Sequence, residues 1–203
     1  EINNGIFKKG IQTVLYLPHF ISWVLVYALA FSLFSSSGMV NNLCIRLGVY
    51  DTPVLYLQMT DHVWMMMWLL STWKGTGWSA IMYIAAIAGI DQELYEAAYV
   101  DGAGRFRVIW HITIPSLLPT YFVLLMMNVA NFLNNGVDQY YVFQNAFNKD
   151  KIQVLDLYVY NLGLGSGSYS LATAISIMKS IVSLTLLFTV NTLSKTLRGE
   201  SII

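Results

Sequence analysis

Two lysines, Lys74 and Lys179, interrupt runs of sequence that are otherwise apolar, and two asparagines, Asn128 and Asn131, lie in a third such run. A charge or an amide is costly against lipid, so such residues are the expected lining of a watery path or a protein interior. Asn128 and Asn131 are spaced i, i+3 and share a helix face. Lys74 has the alternative of snorkelling toward headgroups, and Lys179 that of pairing with an acid on a partner subunit. Trp73, Trp78 and Tyr83 offer flat rings on which the apolar face of a sugar can stack. Aromatic belts at the membrane interface and helix packing are the competing account of such rings.

No other residue types assemble into a site. His19, His62 and His111 fall in separate segments without metal-ligand spacing, so no metal is expected. The single Cys44 excludes an internal disulfide and any multi-thiolate centre built within the chain. The stretch GLGSGS at 163–168 lacks the Lys-Ser/Thr ending of a phosphate-binding loop and reads as a flexible lead into the next apolar run. No Gly-x-Ser-x-Gly elbow marks an activated nucleophile. No catalytic residue is assigned, and the chain does not read as an enzyme.

The elements that must position these residues follow from composition. Of 203 residues, 56% are hydrophobic and 11% charged, against about 25% charged in an ordinary soluble domain; mean hydropathy is +0.56. Eleven basic residues balance eleven acidic ones, leaving no basic excess to hold nucleic acid. Crossing about 30 Å of hydrocarbon takes about 20 apolar residues as helix. Four runs qualify: 11–34, interrupted only by Pro18 and His19; 63–90, broken in its middle by WKGTGW at 73–78; 117–134; and 171–193. A broken span is tolerable only where protein or a watery cavity surrounds it. The expected fold is an all-α polytopic membrane helix bundle.

Orientation follows from the connections. Lys8, Lys9, Arg105, Arg107, Lys195 and Arg198 lie on one side, and Arg46, Lys149 and Lys151 on the other. The richer side is cytoplasmic. Both ends of the chain and the segment 91–116 then face the cytoplasm, and 35–62 and 137–170 face outward.

That cytoplasmic segment predicts a helix, a glycine turn and a second helix. Asp91 caps the start, Glu93 complements the dipole, and 92–101 contains no breaker. Gly102 and Gly104 offer a left-handed turn, Arg105–His111 a second helix, and Pro115 biases Ile114 toward an extended backbone. Leu94, Ala97, Ala98 and Asp101 recur at i, i+3, i+4 and i+7, giving a largely small face that another surface can approach. Tyr95, Tyr99, Phe106 and Trp110 add aromatic anchors of the kind that dominate interfaces. Such a helix pair reads as a docking knob.

The pattern Glu96-Ala97-Ala98, three residues, Gly102, nine residues, Ile112-Thr113-Ile114-Pro115 resembles the EAA motif of permease subunits of binding-protein-dependent type I ABC importers, with Ile114 where Leu is commonest before the proline. YLPHFISWV at 16–24, GWSAIMYIAAIAGID at 77–91 and DGAGRFRVIWHITIPSLLPT at 101–120 are similar to the branch that imports sugars, complex oligosaccharides in particular. The likeness covers nearly the whole of 1–203. Such permeases usually have six spans against the four read here, so one or two N-terminal spans are expected to be missing; the chain opens with Glu1-Ile2-Asn3-Asn4 and no methionine.

The resemblance implies that the cytoplasmic helix pair fits a cleft on a separate ATPase dimer, which binds ATP and Mg, while this chain binds no cofactor. Glu96 would pair with a basic group on the ATPase or brace the knob itself, Ala97 and Ala98 would permit close packing, and Gly102 would make the turn. Asp101, Arg105, Ile112 and Pro115 complete the coupling set. The implied partners are a second permease subunit, the ATPase dimer, an extracytoplasmic solute-binding protein and membrane lipid, in a bacterial plasma membrane. The reading kept beside it is a membrane scaffold or receptor that transports nothing and whose helix pair only docks a partner.

Overall fold

A computed structural model describes residues 5–198, without the side chains of residues 7, 8, 193, 194 and 196–198. Lys8 and Arg198, two of the cations used for orientation, therefore lie outside the described side chains, as do residues 1–4. The chain divides into two compact units, residues 1–77 with 134–176, and residues 78–133 with 177–203.

The first unit opens with α1 (Gly5–Phe20) and α2 (Trp23–Phe34), so the run 11–34 is two helices and not one. Pro18 has no N–H to return to the preceding turn, and α1 ends two residues later. Ser22 then starts α2 from an extended backbone, its Oγ accepting from the Leu25 amide at 3.4 Å. Next come α3 (Met39–Arg46), a short 3-10 turn at Tyr56–Gln58, and α4 (Val63–Ala88). The later part supplies α8 (Asp138–Phe143), α9 (Lys149–Ile152), α10 (Leu155–Tyr160), a π-helical turn (Asn161–Gly165) and the start of α11 (Tyr169–Arg198). The stretch 163–168 is therefore partly helical and not simply a loose lead.

Val26 and Ala30 of α2, Val63 and Met67 of α4, Phe143 and Ile152 form the core of this unit. Tyr27 meets Phe143 edge-on at 5.0 Å. Buried amides fix the chain around that core. Gln139 donates to the Met67 carbonyl at 2.9 Å. Asn41, fully buried, donates to the Ser35 and Val54 carbonyls and accepts from the Val54 amide and the Tyr50 hydroxyl. Asn148, equally buried, donates to the Phe143 carbonyl and accepts from the Asn145 amide. Asn41 and Asn148 satisfy backbone groups of irregular chain and helix ends that would otherwise be buried unpaired, while Gln139 ties α8 to α4.

The WKGTGW stretch does not break α4, which is one continuous helix from Val63 to Ala88. Gly77 is the reason a glycine belongs there: it is buried against the backbone of α1, where a Cβ would run into the Leu15 carbonyl.

In the second unit, α5 (Gln92–Val100) is followed by α6 (Arg105–Val108), a π-helical turn (Ile109–Thr113) and α7 (Ile114–Ala130) without interruption. The extended conformation expected at Ile114 is absent; its φ and ψ are −61° and −49°. A regular α-helix would press the carbonyl of residue 111 against the Pro115 ring. The wider turn relieves this: the Ile114 amide reaches back to Ile109, and the Ser116 hydroxyl donates to the Ile112 carbonyl at 2.7 Å.

Three stretches among the described residues are long and apolar enough to cross a membrane: Trp23–Arg46, which contains α2 and α3 with the turn 35–38 between them, Arg105–Ala130 and Tyr169–Thr192. In the last two only 6% of the apolar window is buried within the chain. Surface that apolar and that open must meet lipid or another chain. At 26 residues α4 is about 39 Å long, enough to cross as well, but Lys74 and its small polar neighbours make it less apolar than those three.

Candidate functional site

The segment 91–116 lies within the second unit, and its local geometry is set by its own residues. The Asp91 carboxylate accepts from the Glu93 amide at 3.0 Å and begins α5. The helix ends in a paired closure, with the Ala103 amide on the Ala98 carbonyl at 2.9 Å and the Gly102 amide on the Tyr99 carbonyl at 3.1 Å. This six-to-one and five-to-two arrangement needs a left-handed residue after the cap. Gly102 supplies it at φ 73°, whereas Gly104 has an ordinary φ of −70° and starts α6 from an extended backbone. Only one of the two glycines is therefore a left-handed turn residue.

Tyr95 does not face outward as an anchor. Half-buried, it shares a hydrogen bond with the Thr113 hydroxyl at 3.2 Å and ties α5 to the π-helical turn. Val108 is buried beneath the turn. Outside, Val100, Phe106 and Trp110 are 87%, 80% and 66% exposed, with Tyr99 and Leu94 also open. Glu96, Ala97, Asp101 and Arg105 are exposed, and Ala98 and Ile112 half-buried. Arg105 occupies the first turn of α6, where a cation gains nothing from the helix dipole. The helix itself gives no reason for a cation there. The segment thus presents a stiffened turn, an apolar rim and charges of both signs.

The residues read as path lining fall into different surroundings. Lys74, half-buried in the first unit, donates from Nζ to the His19 carbonyl at 2.6 Å and lies 5.5 Å from the centre of the Trp23 ring. It therefore caps the C-terminal end of α1, where a positive charge meets unpaired carbonyls. Trp73 and Trp78 are exposed on α4, and Tyr83 is half-buried. Asn128 donates to Leu124 at 2.8 Å, and Asn131 ends α7 with its amide on Met127 at 2.9 Å. Both asparagines are exposed and their amides are turned back on the helix. Lys179 is half-buried in α11. Among the described residues no group of three or more His, Cys, Asp or Glu could hold a metal ion.

Residues 4–198 match the family described as the binding-protein-dependent transport system inner membrane component, and the chain belongs to that family of membrane proteins. It is 39% identical over 203 residues to Protein LplB of Bacillus subtilis (strain 168), covering 100% of this chain and 63% of that protein. It is 38% identical over 204 residues to the polygalacturonan/rhamnogalacturonan transport system permease protein YteP of the same organism, with the same coverages. A chain in the crystal structure of a bacterial alginate ABC transporter, in complex with an alginate pentasaccharide-bound periplasmic protein, superimposes with a TM-score of 0.90 at 33% identity, over 100% of this chain and 70% of that one. The chain spans 63% of the length of the two curated relatives.

The three buried amides Asn41, Gln139 and Asn148 were missed in the sequence. Each has a polar or charged neighbour, Asn42, Asp138 and Lys149 respectively, so nothing local marks it as buried.

Proposed function

We propose that the chain is the permease subunit of an ATP-driven importer for oligosaccharides, in which residues 91–116 couple it to a separate ATPase that binds ATP and Mg. A second permease subunit completes the path, and an extracytoplasmic solute-binding protein delivers the sugar. Both ends and the 91–116 segment are cytoplasmic. The observation that carries this reading is the closed turn at Gly102, set between a small-residue helix and an apolar rim in the EAA spacing. The side chains of Glu96 and Arg105 have no hydrogen-bond or ion-pair partner among the described residues, so both are available to an ATPase surface. The relatives named above support the substrate class: polygalacturonan and alginate are built of sugars that bear a carboxylate, and an acidic oligosaccharide is the substrate proposed here.

The test is a pair of glycines. Gly102→Val forces a β-branched residue to positive φ, at a cost on the order of 1–3 kcal/mol, and lowers both co-purification of the ATPase and uptake of sugar. Gly104→Ala, at an ordinary φ and with nothing within 4 Å of the added Cβ, leaves both unchanged. Normal ATPase recovery and uptake in Gly102→Val removes the coupling role. Loss of ATPase recovery with no sugar uptake by the unaltered complex favours a docking scaffold instead.

A further inference from the structure

The segment between α7 and α11 reads in the sequence as a plain external connection, yet it carries an open polar cleft. Two overlapping cavities of about 380 and 410 Å³ share Gln144, Lys149 and Asn161, and either is in the size range of a small-ligand site. Gln153 and Tyr158 complete one lobe, and Tyr141 borders the other. The cleft lies wholly within the first unit.

Its chemistry differs from the rest of the unit. The structural amides nearby are all used: Asn145 donates to the Leu57 carbonyl and accepts from the Phe147 and Asn148 amides. The side chains of Gln144, Gln153 and Asn161, by contrast, have no hydrogen-bond partner among the described residues, and Lys149 has no ion pair among them. No acidic residue lines either cavity. Amides that both donate and accept match vicinal hydroxyls, a phenol ring offers a face to a pyranose, and one uncompensated ammonium selects a carboxylate.

The wall is also well founded. The Asn145–Asn148 pair fixes the start of α9, which carries Lys149, and buried Ile152 and Leu157 fix the helices on either side of Gln153. Gly163 packs against Ala172, 3.3 Å from where a Cβ would lie, and holds the π-helical turn that carries Asn161.

We propose that this cleft is a subsite for one carboxylate-bearing sugar unit, with Lys149 on the carboxylate and Gln144, Gln153 and Asn161 on the hydroxyls. It rests on the importer reading and on the external placement of 137–170, and it would receive the end of an oligosaccharide before entry into the membrane path. The rival occupant, an acidic side chain of the solute-binding protein, is separated by the test.

The full-length permease is assembled with its partner subunits in proteoliposomes, and uptake of trigalacturonate is compared with that of its neutral methyl ester. Lys149→Met is expected to raise the KM for trigalacturonate about fivefold, the scale of one exposed charged hydrogen bond. The KM for the ester stays unchanged, and Lys149→Arg restores the acid. Gln153→Ala raises the KM for both sugars, since both keep the hydroxyls. An equal KM for the acid in the unaltered and Lys149→Met complexes overturns the subsite and leaves the importer standing. Loss of solute-binding-protein stimulation of ATP hydrolysis, with both sugars affected alike, assigns Lys149 to the protein partner and also overturns it. An unaltered complex that moves neither sugar overturns the substrate reading and the subsite together.

Discussion

The Lys74 ammonium lies 2.6 Å from the carbonyl oxygen of His19, at the point where α1 ends and the chain turns into α2. A residue that looked like path lining caps a neighbouring helix, with its ammonium 5.5 Å from the centre of the Trp23 ring. Replacing Lys74 by Met keeps the stem and removes the donor. Loss of a charged hydrogen bond of this kind costs about 1–3 kcal/mol. The assembled complex is expected to melt at lower temperature, and uptake of acidic and neutral sugars to fall by the same factor. An unchanged melting temperature with selective loss of the acidic sugar would return Lys74 to the path.

Three residues along α4, Gly77 faces the same helix and permits its approach. Gly77→Ala must push α1 and α4 apart, at roughly 1–3 kcal/mol for an overpacked contact. Gly75→Ala meets nothing within 4 Å and gains up to about 1 kcal/mol of helix propensity. Thermal unfolding in detergent should move in opposite directions for the two variants. A shift of the same sign in both would deny the close contact at Leu15.

Orientation is open to thiol labelling. Asn148, in the segment read as external, is unsuitable for this, since it is buried and holds the start of α9. Asp150, two residues on, is exposed. With Cys44 first replaced by Ser, a cysteine at position 150 should react with an impermeant reagent on intact cells, and one at the exposed position 105 should react only after lysis. The inverse pattern reverses the topology and removes the external placement of the Lys149 cleft.

Much of the segment 91–116 was legible because its geometry is local. Asp91 caps through an amide two residues away, and Gly102 closes a turn with neighbours three to five residues back. Errors arose where distant parts of the chain decide. WKGTGW reads as a break until α1 is placed beside Gly77 and Lys74. Pro115 reads as a stop until the turn before it is allowed to widen. The break in 11–34 falls at Ile21 and Ser22, after the proline and not at it. Within 137–170, α8 and the start of α9 are held by the buried amides of Gln139 and Asn148 through backbone groups, and no spacing rule in the sequence announces those pairs.

The π-helical turn at Ile109–Thr113 has a meaning for rotation as well as for Pro115. It holds one residue more than the regular helix would, and each residue of α-helix advances the side chains by roughly 100°. The face that α7 turns toward its neighbours is therefore offset in azimuth by about that angle from where an unbroken α-helix starting at Gly104 would aim it. The proline and its widened turn set the phase of the shaft: deleting one residue between 109 and 113 would leave the turn at Gly102 and the helix above it each intact, yet aim Asn128 in another direction.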